Sequence, residues 1–136
     1  MGHNGRSILI AERDEVVREL QAHFLESAGF VAEFVGDGEA AFELAVRHQP
    51  SLVVTEILIP KIDGLALCRR LHADPKTAHI PVAIFSILNA AARAEEAGAQ
   101  AFLRKPLVQS TFIAAIQRLV PPQSSPTLEQ QKWASR

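Results

Sequence analysis

Thiol chemistry is almost missing from this chain. One cysteine, Cys68, among 136 residues cannot build a disulfide framework and leaves too few sulfur ligands for a structural zinc. Long hydrophobic runs are missing too. No apolar stretch approaches the roughly 18 residues of a membrane span, and Met1 to Ser7 is too short and polar for a signal peptide, so a soluble, cytoplasmic protein is expected. There is no excess of one charge: 14 Lys and Arg against 15 Asp and Glu give a net charge of -1, and the basic residues are dispersed. Without a basic stripe to follow a phosphate backbone, direct nucleic-acid binding is not expected. The histidines (His3, His23, His48, His72, His79) are scattered and lack metal-ligand spacing.

What is present is a core. An apolar content of 48% in a chain of one-domain length supplies enough side chains to bury, with no room for a second catalytic domain. The most informative stretch is Leu52 to Gly64, LVVTEILIPKIDG. A β-branched run reaches a carboxylate at Glu56 and turns through Pro60, Asp63 and Gly64 into a helical pattern. Glu56 therefore stands where a buried strand ends. In open parallel sheets, that edge is where ligands and chemistry collect.

The same alternation recurs along the chain. Ser7–Ala11 reads as a buried strand ending in Glu12, Arg13 and Asp14. A helix follows, capped by Asp14, with Val17, Leu20, Phe24 and Ala28 as its apolar stripe and Gly29 at its end. Phe30–Val35 is a second, outer strand. Asp37 and Gly38 start a helix with Ala41, Leu44 and Ala45 inward, stopped by Pro50. After the Leu52–Thr55 strand, a helix runs through Leu65, Cys68, Arg69, Leu71 and His72 to Pro75. Cys68, on the apolar face of that helix, reads as a small core residue. VAIF after Pro81 is the fourth strand and delivers Ser86; a short Ala-rich helix leads to Gly98. Ala99–Arg104 is the fifth strand, ending at Lys105 and Pro106, and a last helix buries Phe112, Ile113, Ile116 and Leu119. Five β-α repeats mean an α/β fold with a parallel five-stranded sheet, right-handed crossovers and helices on both faces. The expected organisation is an N-terminal segment over 1–6, one domain over 7–120, and a tail or linker over 121–136, where PPQSSP breaks the periodicity and Trp133 stands among polar residues.

Glu12, Arg13, Glu56, Ser86 and Lys105 then gather at one sheet edge. With the E-x-x-x-P-x-x-x-G turn (Glu56, Pro60, Gly64), the Lys105–Pro106 pair, the D-G helix start at Asp37 and the G-A at Gly98–Ala99, the chain from about Ser7 to Val120 resembles a response-regulator receiver domain of two-component signalling. The resemblance implies a flavodoxin-like (βα)5 three-layer sandwich of strand order 2-1-3-4-5, the order of the sheet class that includes receivers. It implies an aspartate acceptor at the position of Glu56 and Mg²⁺-binding acids at those of Glu12 and Arg13. It also implies a phosphoryl-contacting lysine at Lys105, a hydroxyl at Ser86 that reads the phosphoryl group, and an aromatic at Phe102 that swings in response. Such a module is a switch rather than an enzyme.

The departures fall where that chemistry lives. Glu56 replaces the acceptor aspartate, and Arg13 replaces a metal-binding acid. Glu12 and Glu56 against Arg13 and Lys105 balance to zero without a cation. An arginine about 4 Å from Mg²⁺ repels it by roughly 8 kcal/mol at an effective dielectric near 20, so Mg²⁺ binding is expected to be weak or lost, and no other cofactor is expected. The extra methylene of Glu56 carries its carboxylate roughly 1.5 Å farther from the strand, within reach of Lys105. Two readings stay open: Glu56 mimics a phosphorylated aspartate and holds Ser86 and Phe102 in an active-like arrangement, or it pairs with Arg13 and Lys105 as a static plug. Ile87, bulky beside Ser86, is expected to obstruct a phosphodonor. Ser86 to Gly98 is about three residues short, close to one helical turn, on a face that receivers use for dimers or output.

The resulting expectation is a degenerate receiver acting by protein-protein interaction independently of phosphorylation. Its partner would be a histidine kinase, an output domain, or a second copy through the helix 4, strand 5, helix 5 face; no membrane is involved. The alternative is a receiver that still accepts phosphate from a histidine kinase or a small-molecule donor, since glutamate can form an acyl phosphate. A flavodoxin-like cofactor binder is the weakest reading, because no Gly-rich phosphate loop follows the first strand.

Overall fold

A computed structural model describes residues 6–121. Apart from Arg6 and Pro121, the expected terminal segments 1–6 and 121–136, with Trp133, lie outside the described residues. Ten elements alternate without exception: β1 (Ser7–Ala11), α1 (Glu15–Ser27), β2 (Val31–Val35), α2 (Gly38–His48), β3 (Leu52–Thr55), α3 (Gly64–Ala73), β4 (Val82–Ser86), α4 (Ala91–Glu96), β5 (Ala101–Arg104) and α5 (Gln109–Leu119). The five strands form one parallel sheet in the order β2-β1-β3-β4-β5. This is the flavodoxin-like three-layer arrangement.

The pleat of the strands divides the core in two, because alternate side chains face opposite sides of the sheet. Leu9, Val53 and Ile84 point to the side covered by α2, α3 and α4, where Ala41, Leu67, Leu71 and Ala94 meet them. Ile8, Ile10, Leu52, Val54 and Phe85 point to the side covered by α1 and α5, against Leu25, Phe112 and Ile116. The three inner strands are almost wholly buried, whereas the edge strands β2 and β5 are largely half-buried. Strands enclosed on both faces in this way account for the near-continuous apolar runs.

Three helices start on aspartates. Asp14 Oδ1 accepts from the N–H groups of Val16 and Val17 at 2.9 and 3.1 Å, Asp37 from Ala40 at 2.7 Å, and Asp63 from Ala66 at 2.8 Å. Each cap satisfies amides that have no partner within the first helical turn. The helices are thereby anchored at the strand ends where Glu12 and Glu56 emerge.

Some boundaries and faces differ from the sequence reading. On α1 the buried positions are Gln21 and Leu25, while Leu20, expected inward, is 42% exposed. Spacing from Val17 at i+4 passes through Gln21, and a stripe drawn through apolar residues alone skips that glutamine. β5 starts two residues late, because the Ala99 N–H is taken by the Ala94 carbonyl at 3.0 Å in the turn that closes α4. β2 starts at Val31 because Phe30 donates to the Leu25 carbonyl at 2.9 Å. On α5 the inward line is Phe112, Ala115 and Ile116, with Ile113 and Leu119 half-buried.

Candidate functional site

Register brings the site together. Ala11 lies opposite Thr55, and the Glu56 N–H continues that ladder to the Ala11 carbonyl at 3.0 Å, so Glu12 and Glu56 leave neighbouring strands at one level. Ser86 lies opposite Arg104 on β5, and the Lys105 N–H donates to the Ser86 carbonyl at 2.9 Å. Glu12, Glu56, Ser86 and Lys105 therefore converge at the carboxyl edge of the sheet.

Glu56 is 5% exposed, and its carboxylate is surrounded by donors. Oε1 accepts the Ser86 hydroxyl, the Ile57 N–H at 2.6 Å and the Leu58 N–H at 3.3 Å. Oε2 accepts the Ile87 N–H at 3.2 Å and stands 3.0 Å from Lys105 Nζ. Lys105 Nζ also lies 3.0 and 3.2 Å from the two oxygens of Glu12, whose Oε2 in turn accepts the Asp14 N–H at 3.1 Å. One ammonium thus bridges two buried carboxylates. Ser86 is fully buried, and its hydroxyl oxygen accepts the Leu88 N–H at 3.1 Å.

The electrostatics follow from this count. Burial pushes the Glu56 carboxyl up, but hydrogen bonds from Ser86 and Lys105 and the lysine's charge outweigh it and leave the group below its ordinary value. Burial pushes the Lys105 ammonium down, and its bonds to Glu12 and Glu56 more than reverse that, so it ends above its ordinary value. Both groups are ionised at neutral pH.

Arg13 does not join this cluster. Its side chain is exposed, and among the described residues it forms no ion pair with either carboxylate. The balanced four-charge pocket expected from the sequence is instead a three-charge cluster of two carboxylates and one ammonium. The pairing of Glu56 with Arg13 is likewise replaced by pairing with Lys105 alone. A long cationic side chain at a loop surface keeps its head in water when a buried lysine already meets the acids. Phe102, opposite Ile84 on β5, is half-buried against the core on the α2, α3 and α4 side. Ile87 is 59% exposed at the mouth of the site. Cys68 is buried in the core, its Sγ donating to the Ala97 carbonyl at 3.3 Å, and burial pushes its thiol up to about 11.

Three contributors escape residue-type reasoning: the backbone amides of Ile57, Leu58 and Ile87. Their role depends on loop shape, and no side-chain signal announces it. Gly64 has a clearer signature. A Cβ there would collide with the Glu56 carbonyl, and its N–H donates to the Ile57 carbonyl at 2.9 Å, so α3 packs directly on the turn that carries the carboxylate.

A family model described as the response regulator receiver domain matches residues 8–117. The chain belongs to the receiver-domain family. This receiver is 33% identical over 116 residues to the DNA-binding dual master transcriptional regulator RpaA of Synechocystis, a match covering 83% of this chain and 48% of the relative. It is 29% identical over 114 residues to the polar-differentiation response regulator DivK of Brucella anthropi, covering 82% of this chain and 93% of that protein. Among solved structures it resembles the receiver domain of a signal-transduction histidine kinase from Syntrophus aciditrophicus, with 34% identity, a TM-score of 0.78, and coverage of 90% of this chain and 97% of that one. The receiver thus spans about half the length of some relatives and nearly all of another. It is a module of two-component signalling. Among the described residues no helix is long and apolar enough to cross a membrane.

Proposed function

We propose that this receiver, as a unit over residues 7–120, no longer transfers phosphate and acts as a protein-interaction module whose site is permanently occupied by its own glutamate. One observation carries the reading: the Glu56 carboxylate engages the Ser86 hydroxyl, the Leu58 and Ile87 amides and the Lys105 ammonium together. By resemblance, the hydroxyl and the lysine are groups that would meet a phosphoryl group in an active receiver. Glu56 presents to them an anion already in place. Mimicry is partial, since a carboxylate brings two oxygens and one charge where a phosphoryl group brings three oxygens and nearly two charges.

The donor set does not fit Mg²⁺. Two carboxylates remain, both are engaged by Lys105, and among the described residues no group of three or more His, Cys, Asp or Glu could hold a metal ion. Hard divalent cations prefer several unencumbered oxygens. No step of the proposed function passes through a metal, and the module has no enzymatic activity of its own. Its partner is a protein of a two-component pathway, a histidine kinase or an output domain, with a second copy through the α4, β5, α5 face as a further geometry.

The deciding experiment is intact mass after incubation with acetyl phosphate and Mg²⁺, on the natural protein and on an Arg13→Asp, Glu56→Asp variant. Phosphate uptake by the double variant alone supports a scaffold disabled at these two residues. Uptake by the natural protein overturns the reading. Uptake by neither shifts the block to Ile87 or to the short α4.

A further inference from the structure

The residue that contributes one of the amides to Glu56 is also held through its carbonyl, which belongs to the next peptide group along the chain. Ile87 donates its N–H to Glu56 Oε2 at 3.2 Å, and its carbonyl accepts from Arg104 Nε at 3.1 Å. The flanking groups are equally engaged: the Ser86 carbonyl by the Lys105 N–H at 2.9 Å, and the Leu88 N–H by Ser86 Oγ at 3.1 Å. Four consecutive backbone groups of the β4–α4 turn are thus fixed by residues 56, 104 and 105 and by the turn's own serine. Arg104 is exposed and ends β5, the outermost strand on that side of the sheet.

We infer that Arg104 is a positioning residue: through the backbone of Ile87 it ties the Glu56 carboxylate to the exposed β5 edge, so that the anion at residue 56 sets the shape of the surface carrying Ile87. This rests on the reading of Glu56 as a fixed occupant of the site. Two consecutive peptide groups meet at the Ile87 Cα: the Ser86–Ile87 group is bonded to Lys105 and Glu56, and the Ile87–Leu88 group to Arg104 and the Ser86 hydroxyl. Fixing both planes fixes the φ and ψ of Ile87 between them, so the bonds on each plane make those on the other easier to keep. The 59% exposed Ile87 side chain stands on the Cα between these two groups and is presented in one orientation. Holding an exposed apolar group in place before contact reduces the ordering cost of binding it. Arg104 supplies the outer bond with one donor of a planar guanidinium, a geometry a lysine does not reproduce.

The test is amide hydrogen exchange resolved by NMR on the full chain, comparing the natural protein with Arg104→Ala, Arg104→Lys, Glu56→Gln and the Glu56→Gln, Arg104→Ala pair. The amide of Val54, in the buried β3, gauges global opening. Arg104→Ala is expected to speed exchange at Ile87 and Leu88 about tenfold while Val54 changes less than about twofold, with Arg104→Lys restoring part of the protection. In the double variant the effect at Ile87 should fall short of the product of the single effects, since both groups fix the backbone of one residue. A role confined to local packing predicts multiplicative effects. Unchanged exchange at Ile87 in Arg104→Ala, an equal rise at Val54, or multiplicative effects would each overturn the inference. Phosphate uptake by the natural protein removes the reading of Glu56 without touching this result; absent coupling with no phosphate uptake removes only the role of Arg104.

Discussion

Lys105 Nζ and Glu56 Oε2 meet at 3.0 Å although their strands are not neighbours: β4 runs between them. The lysine reaches over the end of that strand to a carboxylate on β3 and, one strand farther, to Glu12 on β1. A single cation therefore ties three strands, β5, β3 and β1, at their carboxyl edge across the end of β4.

Removing that cation leaves two buried anions facing each other. Lys105→Met is expected to cost roughly 3–5 kcal/mol near pH 7 in urea denaturation, because an unpaired buried charge is far more expensive than a broken pair at the surface. Part of the loss should return as pH is lowered toward 5, when one of the two carboxylates takes up a proton. A variant that unfolds with the natural midpoint at pH 7 would show that the bridge contributes nothing net.

The pH dependence of the natural protein has a defined sign on each side. Glu56 is held below its ordinary 4.5 in the folded state, so its contribution is fully present above about that pH and is lost as pH falls through the lower folded value. Lys105 is held above its ordinary 10.5, so its contribution is fully present below that pH and is lost as pH rises through the higher folded value. Chemical denaturation from pH 6 to 3 should show a shallower acid limb in Glu56→Gln than in the natural protein. Identical limbs would mean that other carboxylates carry the acid sensitivity.

Gly64→Ala tests how tightly α3 is set against the site. The added methyl meets the backbone of Glu56 and Ile57 rather than a flexible side chain, so the turn itself must shift. A loss of roughly 1–3 kcal/mol is expected, typical of forcing an extra carbon into close packing. NMR shift changes should centre on residues 56–58, and changes confined to α3 would contradict this account.

Gln21→Leu should move stability the other way. Gln21 is fully buried, and among the described residues neither polar atom of its side-chain amide has a hydrogen-bond partner. An apolar side chain of similar size removes that penalty and is expected to gain about 1 kcal/mol, or about 4 °C in Tm for a domain of this size. A lower Tm would mean that the amide is satisfied in solution.

Much of this architecture is legible in the sequence. The strand runs, the aspartate caps and the Glu56-to-Gly64 spacing each reflect a local constraint, and together they specify a parallel sheet with Glu56 at its carboxyl edge. Other features depend on direction rather than residue type. Arg13 follows Glu12 in the chain yet points to solvent, and nothing in its identity distinguishes that from pairing with Glu56. Gln21 is invisible to any reading that seeks the inward face among apolar residues. The amides of Leu58 and Ile87 and the reach of Arg104 are products of loop geometry, for which a linear pattern holds no signal. The order β2-β1-β3-β4-β5 is available only by resemblance, since β-α alternation alone is compatible with other strand orders.

Helix α4 is the shortest helix of this framework. It has six residues, its N-cap is Ala90 with no side-chain bond, and Ala94 is its one buried side chain. With the flanking Ala90 and Ala97, three buried methyl groups are all that this segment loses on leaving the core, so it can detach at a fraction of the free energy that holds the sheet. Because the turn immediately before it is clasped to Glu56 and to β5, its excursions should end at Leu88. The molecule would then fray in the middle of its sequence while its carboxylate edge stays closed, offering a partner a hinged flap beside an immobile floor.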